Sequence, residues 1–165
     1  MTDGTAQDPR GSRPAGVSAF LALVLSTVGF FALLVFGLGG LSLATDTDII
    51  AVPGLGQAPG AIGVIVAVGV FTTGSWRMLR PEHPSYRPVW LVALTTALAH
   101  LVAVWLVIVI TSGEAVTATV VAGDLVRGGA GLVLLAAAAV AAWCGVALRR
   151  TRARAPRWPW EDDEE

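Results

Sequence analysis

One side chain in this sequence can move a proton from within a long apolar stretch. His100 lies among uncharged residues, four positions after Thr96, so the two share a helix face. An ionisable group at such a position is a functional hypothesis in itself, as a proton-relay step or a solute contact. Counting about 1.5 Å of rise per residue from the inner boundary of its apolar stretch puts His100 about 16 Å deep. Ser26 and Thr27 lie about 14 Å deep in another stretch by the same count. A polar layer of Ser26, Thr27, Thr96 and His100 is therefore expected. The competing reading is a neutral histidine that glues two helices together through Ser or Thr.

A second group is acidic: Asp46, Asp48, Glu114 and Asp124, all in connections between apolar stretches. Oxygen donors of this kind suit Ca²⁺ or Mg²⁺, but their spacing matches no metal-binding loop. Asp124 also has simpler uses, as an i,i+3 partner of Arg127 or as a charge near a helix start. The third group is the C-terminal run Arg149, Arg150, Arg152, Arg154, Trp158 and Trp160, followed by five acids at 161–165. Arginines just beyond an apolar stretch attract anionic lipid headgroups. The switch from basic to aromatic to acidic suits a docking peptide for a cytosolic partner, or a topology anchor with a solubilising end.

Other chemistry has no footing here. The single cysteine, Cys144, rules out an internal disulfide and a CxxC pair. Two histidines, His83 and His100, make no metal cluster. No P-loop, dinucleotide fingerprint or HExxH pattern occurs. We therefore expect no enzyme, no cofactor and no nucleic-acid partner. A mid-span carboxylate, the usual mark of an ion-coupled transporter, is also absent. The small four-span multidrug exporters rely on such a glutamate, so that likeness fails.

The elements that must position these residues follow from hydropathy. Hydrophobic residues make up 55% of the 165 and charged ones 14%, too few to coat a water-soluble globule. A bilayer core needs roughly 20 apolar residues in helix. Four stretches qualify, at about 17–43, 60–79, 89–111 and 125–148, with Pro88 at the first turn of the third. The connections 44–59, 77–88 and 112–124 are short, so neighbouring helices must alternate in direction. The expected fold is all-α, an up-down four-helix membrane bundle.

Ten of the eleven basic residues, all arginine, fall at the start, the second connection and the end. Alternation puts all three on one side, and the positive-inside rule makes that side cytoplasmic. Both termini are then cytoplasmic, and the protein is a multi-pass component of the cell membrane. Trp76, Trp90 and Trp143 mark the inner interface. Residues 1–16 are expected to be a disordered arm. Cleavage after Ser42-Leu43-Ala44 is the competing reading, but a secretory apolar core is usually about 7–15 residues long.

Small residues recur every fourth position at Gly63 and Ala67, and at Ala137, Ala141 and Gly145. Such stripes admit close helix packing, within the chain or in a homo-oligomer. The residues Ala44-Thr45-Asp46-Thr47-Asp48-Ile49-Ile50 and Pro156-Arg157-Trp158-Pro159-Trp160 complete the picture. With the length and four spans, they give a chain that resembles a family of small actinobacterial membrane proteins of unknown function. The resemblance implies a location and a topology, and no activity, cofactor or catalytic residue.

Overall fold

The computed structural model describes residues 17–46 and 56–151. These form five helices: α1 (Ala19–Thr45), α2 (Ala58–Leu79), α3 (Val89–Ser112), α4 (Ala115–Arg127) and α5 (Ala130–Arg150). No strand element occurs among the described residues, and the architecture is an all-α bundle. Four helices, all but α4, are long and apolar enough to cross a membrane, which is the build of a multi-pass membrane protein.

Each boundary has a local cause. Ser18 caps α1, its Oγ accepting a hydrogen bond from the Leu21 amide at 3.2 Å. At the other end Asp46 turns left-handed at φ 50°, and its amide donates to the Ser42 carbonyl. The helix runs unbroken through Ser42-Leu43-Ala44. Pro88 immediately precedes α3, where a missing amide costs nothing, and its carbonyl accepts from Val92 at 2.9 Å. Gly113, at φ 73°, ends α3.

The main departure from expectation lies in the third connection. Residues 112–124 were expected as a loop and 125–148 as the last span. Instead the chain turns straight back into α4, and α5 starts only at Ala130. The reason is periodicity. Ala118, Val121 and Leu125 fall on one face and pack against Val104, Trp105, Ile108 and Val109 of α3. Thr117, Thr119, Gly123 and Asp124 lower the mean hydropathy of the segment and hide this pattern. The break itself falls at Gly129, whose φ of 86° suits glycine. Leu125 and Val126 thus belong to α4.

The four long helices stand in the order α1, α2, α3, α5 around the bundle, so α1 and α3 are diagonal and have no backbone approach within 8 Å. Contacts fix the register. Ser26 lies against Gly145, and Leu41 against Gly129, so α1 and α5 run antiparallel. Gly74 meets Val92, while Gly63 meets His100 and Val104, so α2 and α3 do the same. Phe30 of α1 stacks on Phe71 of α2 with centroids 4.5 Å apart. Both rings are fully buried, with Leu34, Ala67, Leu134 and Ala138 around them. The expected small-residue stripes are inside: Gly63, Ala67, Ala137, Ala141 and Gly145 are all buried against other helices of the same chain.

The surface is inverted relative to a soluble protein. Phe36, Leu43 and Ile110 are about four-fifths exposed, while Ser26, Ser75, Thr96 and His100 are buried. A coat this apolar and this continuous calls for hydrocarbon around it. Threonine hydroxyls follow the same logic. Thr72, Thr73, Thr95, Thr96 and Thr111 each donate to the carbonyl four residues earlier, at 2.7–2.8 Å. Where no water is present, a hydroxyl must find a partner in the protein.

Candidate functional site

His100 is 8% exposed, at the middle of α3. The Nδ1–Cε1 edge of its ring lies against Gly63 of α2. A methyl group added at Gly63 would come within 2.8 Å of Nδ1, 2.9 Å of Cε1 and 2.7 Å of Val104 Cγ2. Only glycine leaves room for the imidazole there. Nδ1 is sealed from solvent and makes no hydrogen bond of good geometry, the Gly63 backbone being the polar group beside the ring. Neither Ser nor Thr is the residue's neighbour in the sense expected; the notch is made by Gly63 and walled by Val104. The small-residue spacing at Gly63 was visible in the sequence, but nothing in one sequence pairs it with His100.

The expected polar layer is divided. Ser26 donates to its own Leu23 carbonyl at 3.0 Å and packs its Cβ on Gly145, beside Leu79 at the very end of α2. Thr96 is spent on the Val92 carbonyl at 2.7 Å. Stepping four residues from the Phe30–Phe71 pair puts Ser26 level with Ser75, whereas His100 is level with Gly63. The two levels are about 12–18 Å apart by helix rise. Equal depth from the sequence boundary failed because α1 begins further from the bundle centre than α3, so the same count of residues ends nearer the bundle end on α1. Ser26 and Thr27 also stand on the helix diagonal to His100. The buried Thr27 Oγ1 and Ser75 Oγ have no partner, and Ser75 is a residue that the sequence reading passed over.

The acidic residues do not converge. Glu114 precedes α4, where it accepts from Thr117 Oγ1 at 2.7 Å, and Asp124 is in the last turn. Ten residues of helix separate the two by about 15 Å. Asp124 faces Arg127 at 3.7 Å, both largely exposed. Asp46 caps α1, and Asp48 lies outside the described residues. Among the described residues no group of three or more His, Cys, Asp or Glu side chains is placed to hold a metal ion.

The most connected charged group is Arg149. Nη1 donates to the Val17 carbonyl at 2.8 Å, Nε to Leu79 at 3.2 Å and Nη2 to Pro81 at 3.2 Å. One guanidinium thus ties the last turn of α5 to the start of α1, the end of α2 and the turn beyond it. Leu79 is the last residue of α2, so its carbonyl has no amide within its own helix. Arg150 continues the tie: Nε donates to the Pro84 carbonyl at 2.9 Å, and the guanidinium lies over the Tyr86 ring at 4.7 Å. Tyr86 in turn meets Trp143 of α5 at 5.9 Å. Both arginines were expected as free contacts for headgroups or a partner, and both are instead committed to carbonyls. Arg152, Arg154, Trp158 and Trp160 lie outside the described residues.

No family model, curated protein or solved structure matches the chain.

Proposed function

We propose that this chain is a non-enzymatic component of the cell membrane, with both termini cytoplasmic, acting through contacts at its inner face. The observation that carries the reading is the His100–Gly63 notch. Among the described residues, the one ionisable side chain deep in the bundle is used for close packing, in a space that excludes even a methyl group. That leaves the inner-face segments as the working parts. The arginine distribution supports the orientation, and the four long apolar helices support a membrane location. Residues 152–165 then serve as a contact for a cytosolic protein, and a homo-oligomer would be built on the lipid-facing sides of the helices.

Crosslinking in native membranes tests this, with the full chain and with a chain ended after Thr151. Ending it there keeps Arg149 and Arg150, whose loss would disturb the bundle itself. One partner recovered with the full chain and lost with the shortened one supports the proposal. A partner recovered equally from both contradicts it.

A second reading has its own observation. Nδ1 of His100 is buried without a hydrogen bond of good geometry, which a small transporter or channel would use as a proton-accepting or solute-binding atom. His100→Gln separates the two: the packing reading expects altered stability and no change in transport.

A further inference from the structure

The structure sorts the inner-face arginines into two kinds. Arg149 and Arg150 spend donors on the carbonyls of Val17, Leu79, Pro81 and Pro84. Arg77, Arg80 and Arg87 are exposed, and among the described residues no carbonyl or carboxylate engages them. We propose that these three arginines, at the inner end of α2 and the turn into α3, bind the headgroup phosphate of an anionic phospholipid.

Three observations converge on this occupant. The first is position. Gly74 packs against Val92, so Arg77 is level with the start of α3, and Arg80 and Arg87 lie just beyond it. All three therefore stand where apolar helix surface gives way to a polar turn, at headgroup height for any bilayer that holds these spans. The second is chemistry. Guanidinium groups present a planar fork of donors that matches phosphate oxygens. Glu82 is the one acid between α2 and α3, so the turn keeps a net positive charge. The third is the neighbour on the same face. Trp76 is four residues before Arg80 and is 38% exposed. An indole at this height anchors beside the headgroup while the arginine reaches up to it. The inference rests on the membrane-spanning reading and is independent of any partner at the tail.

The test is native mass spectrometry of the full chain released from nanodiscs of phosphatidylcholine with and without phosphatidylglycerol. Wild type should retain phosphatidylglycerol over phosphatidylcholine. Arg77→Gln/Arg80→Gln/Arg87→Gln should lower that retention by about tenfold or more, given the surface contribution of each arginine. The matching triple lysine variant should recover part of it through charge alone, and a wild-type melt of the glutamine variant shows that it folds. Arg149→Gln should melt earlier in both lipids yet keep the lipid. Unchanged retention in the triple glutamine variant overturns the proposal. So does loss of the lipid on ending the chain after Thr151, since the tail would then be the ligand. If acids 161–165 cover the arginines instead, wild type will take no phosphatidylglycerol until it is shortened, and that pattern also overturns it.

Discussion

The decisive residues are those whose neighbours leave them no freedom. Gly63 accepts the His100 ring only because it lacks a Cβ. Gly63→Ala should therefore destabilise the bundle by about 1–3 kcal/mol, the usual cost of overpacking. A thermal melt in detergent checks this, and pairing it with Val104→Ala should recover part of the loss. Arg149→Gln removes a charged donor from three carbonyls, where each such bond is worth about 1.5–3 kcal/mol. We expect a clearly lower melting temperature. Arg127→Gln, by contrast, breaks only an exposed pair at 3.7 Å, which solvent already screens, and should leave the melt unchanged. Of these partnerships, only the Asp124–Arg127 pair was readable from the residues alone, because its spacing is local. His100 was conspicuous as a type in a place, but its contact is on another helix. Arg149 read as one of a row of similar arginines, and only its position at the bundle end distinguishes it.

At the scale of elements, apolar run length located the spans well. The expected 17–43, 60–79 and 89–111 compare with 19–45, 58–79 and 89–112. A span of this kind is set by the thickness it must cross, so composition suffices. The fourth failed at its start, because α4 is shaped by contact with α3 and not by the bilayer. Its apolar face is one side of a short helix, and averaging over a window removes it. Glycines show the same contrast between local and tertiary causes. Gly129, at φ 86°, turns α4 into α5, and Gly129→Ala should cost about 1–2 kcal/mol. Gly40 sits in α1 with open space where a Cβ would go. Gly40→Ala should raise stability by about 0.5–1 kcal/mol through reduced freedom of the unfolded chain. Opposite signs for these two substitutions, read in the same melting assay, would support the helix assignments; equal signs would not.

The whole molecule is a bundle with an apolar coat: small, polar and aromatic residues pack inside, large apolar ones also cover the outside, and contacts from Arg149 and Arg150 close one end. Arg149 joins the start of α1, the end of α2 and the end of α5, so an arginine that the sequence counted towards orientation is also a fastening in the fold. Tagged termini should react on the cytoplasmic side, and a tag beside Asp46 on the other; reversed labelling would overturn the orientation. The central claim is that the buried histidine packs the bundle and carries nothing through it. The most direct measurement is paired: proton and cation flux in proteoliposomes, and thermal stability, for wild type and His100→Gln. The account predicts a shifted melting temperature with flux at the level of empty vesicles for both proteins. Flux in wild type that vanishes in His100→Gln at unchanged stability would contradict it.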